Sequence, residues 1–385
     1  MGVIRTLILS GGGGRGAFHA GVYKYLSQEH KSGVDDAHQG AWKPDIVVGT
    51  SIGAVNGAAI VQGMEADELA RFWSELREED IEGLPPTMTP LSRWAVNLVM
   101  KEIIGVPLRP VPAAMATSPG GDSSFVLLPK LGRLGNWLLG RWSNLLDTGP
   151  LRQTISSKLG LDEDRIRNSQ QTLLINATNI STGKRMTFSN RPVFRKRTGE
   201  LRRDVLDGIT LQRILASCSI PMVYPWTADA ETRSFYWDGA VVNNTPIGVA
   251  MDAAGDRDPD DVMEAIVVMM TPWRDLDMDG MPDPPPLPRD FSEALTWALD
   301  WALLASFRER LDLIEAFNRL GRIGRRIGDP ELSSYRETRV TIVAPDEFFP
   351  AARILDYDKW IDTLIQLGYQ AAARAFRHDY AKDNG

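Results

Sequence analysis

Asp45-Ile46-Val47-Val48-Gly49-Thr50-Ser51-Ile52-Gly53 is the stretch on which the fold turns. Asp45 to Val48 predicts a short buried strand, dominated by β-branched residues. Ile52 to Val61, rich in small residues, predicts a helix. Between them lies Gly49-Thr50-Ser51-Ile52-Gly53, a G-x-S-x-G. A sharp strand-to-helix turn puts the backbone into strained angles with close neighbours, which the flanking glycines Gly49 and Gly53 tolerate. Such a turn lifts the Ser51 hydroxyl clear of the sheet, while the helix behind it aims N–H groups at developing negative charge. A glycine-rich turn with an N-capping serine is spelled the same way. The strand before and the helix after favour Ser51 as a nucleophile.

Upstream, Val3 to Leu9 reads as a buried strand and Arg15 to Gln28 as a helix. Downstream, Ala66 to Asp80 reads as a helix, and Thr172 to Ala177, Phe235 to Trp237, Ile266 to Met270 and Val340 to Val343 as strands. This alternation predicts a three-layer α/β/α fold with a mostly parallel sheet. The first strand and helix are joined by Gly11-Gly12-Gly13-Gly14-Arg15-Gly16. Consecutive glycines let backbone N–H groups converge on an anion. One reading is an oxyanion hole for an acyl intermediate. The other is a dinucleotide loop, since Gly11, Gly13 and Gly16 fit G-x-G-x-x-G. That loop needs a second strand presenting an acid some twenty residues on. Asp35 and Asp36 are near that distance, but His30 to Lys43 is polar and has no strand to carry them. The oxyanion hole is favoured, with Arg15 adding positive charge or anchoring the loop, and a non-catalytic nucleotide-binding module stays as an alternative.

A serine nucleophile needs a base. The histidines are His19, His30, His38 and His378, and only His378 follows the serine as a Ser-His-Asp order requires. It sits in a charged terminal segment that suits a solvated surface residue, so a carboxylate base is considered beside a Ser-His-Asp esterase. Asp238, closing an apolar aromatic strand and followed by Gly239, on its own spells an Asp-Gly turn.

GGGGRGAFHAGV, GTSIGAVNGA and Asp238-Gly239-Ala240 together resemble the three landmark motifs of patatin-like phospholipases. The resemblance implies a Ser–Asp dyad without histidine, an oxyanion hole in the glycine loop and no cofactor. Position by position, Ser51 matches the nucleophile and Asp238 the base. Gly11, Gly12, Gly13, Arg15 and Gly16 match the loop, with Gly14 at its variable position. Asn244 and Pro246 continue the pattern after the aspartate, and Ser219-Ile220-Pro221 with Tyr224-Pro225 resembles the segment before it, tyrosine standing where phenylalanine is usual. The resemblance covers roughly Val3 to Leu76 and Leu173 to Ala254. It implies hydrolysis of phospholipids or related lipid esters. An Asp beside Trp237 in a partly dry pocket would gain basicity by desolvation.

Composition sets the outer bounds. With 385 residues, 43% hydrophobic and 24% charged, the chain can bury a large core. A net charge of −7 offers nothing global to nucleic acid. The single cysteine, Cys218, excludes an intrachain disulfide and a cysteine-based zinc site, and reads as a small buried residue. No run approaches the length of a membrane span. The expected setting is therefore cytoplasmic, with peripheral contact at a lipid surface. Gly2 and Thr6 match an acylation pattern, but the opening of a strand explains them better.

The expected organisation is a patatin-like core over residues 1–83 and 150–274, a helical insertion at 84–149, a proline-rich linker at 275–288 and a C-terminal helical region with one late strand at 289–385. The insertion carries Trp94, Trp137 and Trp142 and reads as a lid, an acyl pocket, a lipid-facing element or a cap. Asp275, Asp277 and Asp279 spell the start of a calcium loop, but Pro286 stands where its bidentate glutamate belongs, so a solvated linker and no metal are expected. Leu304, Phe307, Leu311, Ile314, Phe317, Leu320 and Ile327 predict one buried stripe of a long helix. Its arginines, Arg308 to Arg326, read as a solvated face rather than a lipid head-group patch.

Overall fold

Apolar residues on both sides of a strand require cover on both sides of the sheet, and the chain supplies it. The computed structural model describes residues 2–30, 42–84, 144, 146–195, 198–258, 260–273, 287–288, 291–349 and 360–382. The strands are β1 (Val3–Leu9), β2 (Ile46–Thr50), β3 (Thr172–Asn179), β4 (Lys184–Ser189), β5 (Val205–Asp207), β6 (Thr227–Asp229), β7 (Ser234–Asp238), β8 (Val262–Val268) and β9 (Thr338–Val343). They form one sheet with the order β5-β4-β3-β2-β1-β8-β9, and β7 and β6 are added beside β3. From β3 through β2, β1 and β8 to β9 every pairing is parallel. β4 and β7 both run antiparallel to β3, and β6 and β7 form a hairpin.

The helices are α1 (Ala17–Gln28), α2 (Ile52–Val61), α3 (Ala66–Glu75), α4 (Gly149–Gln153), α5 (Glu163–Asn168), α6 (Leu211–Ser217), α7 (Ile247–Ala253), α8 (Phe291–Ile327), α9 (Pro330–Ser333) and α10 (Ile361–Lys382). Leu7 and Leu9 of β1, Val47 of β2 and Ile175 of β3 share one core with Phe18 of α1, Ala58 of α2, Trp73 of α3 and Leu364 of α10. Ile4, Ile8, Val48 and Leu174 face the other way, onto Ile247 and Val249 of α7 and Leu304, Phe307 and Ile314 of α8. The result is the expected mostly parallel sheet with helices on both sides.

Differences from the sequence reading are local. The third helix ends at Glu75 rather than running to Asp80, and a separate single turn covers Glu78–Asp80. β4, β5 and β6 were not legible. β5 and β6 have three residues each, and β4 opens on the exposed Lys184, so neither length nor alternation marks them. Ile327, expected on the buried stripe of α8, is 62% exposed. β9, α8 and α10 build into the same sheet and cores as the earlier elements. Residues 85–143 of the insertion expected at 84–149, with its tryptophans, and Asp35, Asp36, Asp275, Asp277 and Asp279, lie outside the described residues. The flanks of that insertion are held together: Asp147 N–H donates to the Gly83 carbonyl at 2.8 Å, and Leu146 N–H to the Val223 carbonyl at 2.7 Å.

The tightest helix contact is between α1 and α10. A Cβ built on Gly21 would fall 1.9 Å from the Ile365 carbonyl oxygen, and one on Gly368 would fall 2.1 Å from that of Phe18. Backbone meets backbone there, so no side chain can swing aside. Overpacking a core usually costs about 1–3 kcal/mol, and Gly21→Ala is expected at or above the top of that range. A urea midpoint unchanged from wild type would refute it.

Candidate active site

Strand register brings Ser51 and Asp238 together. β2 pairs with β3 as far as Thr50 opposite Asn176. The next residue of β3, Ala177, is opposite Asp238 at the end of β7. So β7 takes up the edge of β3 where β2 leaves it, and Asp238 stands in the row that Ser51 vacates by turning into α2. Ser51 makes that turn with φ 56° and ψ −128°, a conformation side chains rarely adopt. A Cβ on Gly49 would lie 2.3 Å from the Gly53 carbonyl oxygen, and one on Gly53 would lie 2.2 Å from that of Leu9. Both glycines of the motif are thus steric requirements. Ser51 N–H donates to Ser217 Oγ at 2.8 Å, and that hydroxyl donates to the Asn176 carbonyl at 2.6 Å.

Asp238 is 2% exposed. Its carboxylate accepts hydrogen bonds from the Ser51 side chain and from Ala240 N–H. Its own N–H donates to the Ser219 carbonyl, and its carbonyl accepts from Thr178 Oγ1 at 2.9 Å. Burial pushes the carboxyl up to about 7, and the hydrogen bonds from Ser51 and Ala240 oppose that rise. Gly239 is confined by β3, since its Cβ would lie 2.3 Å from the Asn176 carbonyl oxygen. Cys218 is buried, and burial, with Asp238 nearby, pushes its thiol well above the ordinary range.

The glycine loop covers Ser51. A Cβ on Gly11 would be 3.0 Å from the Ser51 Cβ. The five loop residues expected to act together do not share one task. Gly11 N–H donates to Asn244 Oδ1 at 2.7 Å, and Arg15 N–H donates to the Gly12 carbonyl at 3.3 Å. The Arg15 guanidinium is buried and occupied by the Gly12 carbonyl, the Met270 carbonyl and Asp300. The N–H groups of Gly12, Gly13 and Gly14 have no partner among the described residues. Gly11 and Arg15 therefore anchor the loop, and only Gly12 to Gly14 offer N–H groups. Gly16 closes it under Ile52 and Trp73.

The described histidine side chains lie elsewhere. His19 is buried on α1 with Nδ1 3.1 Å from Asn56 Nδ2, and burial pushes its imidazole down to about 3. Asn56 also donates to the Gly16 carbonyl and accepts from Trp73 Nε1, which ties α2 to the loop from behind. His30 packs on Phe376 of α10, with ring centroids 4.1 Å apart. His378 is two residues further along α10, so its backbone is at the far end of α1 from the glycines, about 18 Å for a helix of this length. Its side chain, and His38, lie outside the described residues. Among those residues, no group of three or more acids, histidines or cysteines is placed to hold a metal.

The profile of the patatin-like phospholipases matches residues 7–251. That span holds the glycine loop, Ser51 and Asp238 in order. The chain belongs to the patatin-like phospholipase family. Among solved structures, VipD from Legionella pneumophila is similar over 97% of this chain and 67% of its own, with 12% identity and a TM-score of 0.41. The type III effector protein ExoU is similar over 97% of this chain and 53% of its own, with 13% identity and a TM-score of 0.35. This chain thus spans about half the length of ExoU and two thirds of that of VipD. No curated protein gives a significant match in sequence. The family profile ends before α8, so α8, β9 and α10 lie beyond the part of this patatin-like chain that it describes.

Sequence reasoning missed Ser217, Asn176 and Asp300. Each acts through contacts distant in sequence, and no spacing or motif marks it.

Proposed function

We propose that the protein is a serine acyl hydrolase that releases fatty acids from phospholipids or related lipid esters. The observation that carries this is the buried Asp238 carboxylate accepting the Ser51 side chain beside three unpartnered loop N–H groups. Ser51 Oγ attacks the ester carbonyl and its proton passes to Asp238. The N–H groups of Gly12 to Gly14 hold the oxyanion, where each such donor is worth about 3–4 kcal/mol to the transition state. Asp238 then gives the proton to the leaving alcohol. It next takes one from water, whose oxygen attacks the acyl-serine, and returns it to Ser51 Oγ as the acyl–oxygen bond breaks and the fatty acid leaves. A carboxyl with a pKa near 7 is matched to this two-way traffic.

The substrate class rests on family membership, and peripheral contact with a lipid surface follows from it. Among the described residues no helix is long and apolar enough to cross a membrane. The test is fatty-acid release from mixed phospholipid vesicles, run beside hydrolysis of a small soluble ester. Release from vesicles by the wild type, unchanged in His378→Ala, is the expected result. Turnover of the soluble ester alone would remove the lipid from the proposal. A loss of both in a folded His378→Ala variant would restore the histidine triad.

A further inference from the structure

We propose that Asp300, on α8 and outside the family-matched span, is a positioning residue for the oxyanion loop. The inference rests on the hydrolase reading above and adds to it a part of the chain that the landmark motifs do not contain.

The argument follows one peptide plane. The Gly12 carbonyl and the Gly13 N–H belong to the same planar trans peptide and point in opposite directions. Whatever holds the carbonyl therefore aims the N–H. Arg15 holds it, with Nε donating to the Gly12 oxygen at 3.1 Å. The same guanidinium donates through Nη1 to the Met270 carbonyl at 3.4 Å and to Asp300 Oδ2 at 3.3 Å. Arg15 and Asp300 side chains are each 4% exposed. A buried guanidinium without its carboxylate is an uncompensated charge, which turns toward water or another acceptor. Losing Asp300 thus loosens Arg15, then the Gly12 carbonyl, then the direction of Gly13 N–H.

Asp300 is itself fixed. Its carboxylate also accepts from the Thr271 side chain. Trp301 beside it packs edge-on to Phe348, and Trp297 stacks on the same ring at 4.3 Å. Two turns along α8, Arg308 lies 4.4 Å over Trp273, which also meets Phe307. Thr271 and Trp273 follow β8 directly, so α8 is clamped to the strand end beside the loop.

In the full-length chain, Asp300→Asn is expected to lower kcat by about ten-fold or more, with KM within about two-fold of wild type. Asp300→Glu, which keeps the charge, is expected to recover part of that loss. Because the single change also removes a buried ion pair, the double variant Arg15→Met, Asp300→Leu separates fold from function. Replacing both members by apolar residues of similar size commonly keeps or raises stability, so its Tm is expected at or above that of Asp300→Asn while kcat stays low. Wild-type kcat in the double variant would overturn the proposal. So would an Asp300→Asn variant that loses Tm alone. Amide hydrogen exchange in the Ser10 to Ala17 peptide reads the loop without turnover, and faster exchange is expected in Asp300→Asn. Faster exchange combined with no Ser51-dependent turnover in the wild type would sink the hydrolase reading and leave the positioning role standing. Unchanged exchange would overturn the positioning role.

Discussion

Ser51→Ala is expected to lower kcat/KM for lipid esters by roughly 10⁴–10⁶-fold, the scale seen when a serine nucleophile is removed. What remains comes from binding and from the loop N–H groups, which do not depend on the hydroxyl. The fold should survive. Alanine keeps the Cβ that sits under Gly11, and the Ser51 N–H bond to Ser217 is made by backbone. The folded variant should also fail to react with an alkyl fluorophosphonate that labels the wild type once per chain. Retention of full activity by Ser51→Ala would remove the central assignment, and labelling at another residue would say where to look instead.

Asp238→Asn is expected to cost about 10⁴-fold in kcat, as when a neutral amide replaces a carboxylate that a serine-based mechanism needs charged. Two further signatures separate a base from a structural acid. In the wild type, kcat/KM should rise with pH and level off through an apparent pKa of about 7, because burial holds Asp238 protonated below that point. The same shift acts on stability. Between the ordinary carboxyl value of 3.8 and about 7, the folded protein binds a proton that the unfolded chain has lost. Stability from this group therefore declines as pH rises across that window. Asparagine carries no charge to bury, so Asp238→Asn should be inactive yet more heat-stable than wild type at pH 8, with the gap closing toward pH 4. A variant less stable than wild type at pH 8 would mean that the carboxylate is held for structural reasons.

These expectations rest on residues that the sequence itself marks. β1 and α2 match their expected bounds residue for residue: Gly2 and Ser10-Gly11 bracket the first apolar run, and the Ser51 turn and Gln62-Gly63 bracket the second. Asp238 is marked only by its resemblance to the family's motif, whereas Ser51 and the glycine loop stand out in the sequence because backbone geometry restricts the residues allowed there. Gly49 and Gly53 show why, since no side chain fits at either position. The division of labour within the loop was not legible. Gly11 looks like its neighbours in sequence and differs only because Asn244, 233 positions away, takes its N–H. Asp300 was hidden for the same reason, being one acid among many on a charged helix. Edge strands escaped because three residues carry too little pattern to separate a strand from a loop.

The crossing of α1 and α10 sets a schedule for the protein's synthesis. Gly21 and Ile365 meet backbone to backbone, yet roughly 340 residues separate them. At about 5–20 residues per second, the ribosome delivers α10 some 20–70 s after α1. Throughout that interval the α1 surface that α10 will cover stays open to solvent or to a chaperone. The segment directly after the glycine loop is therefore among the last to be sealed.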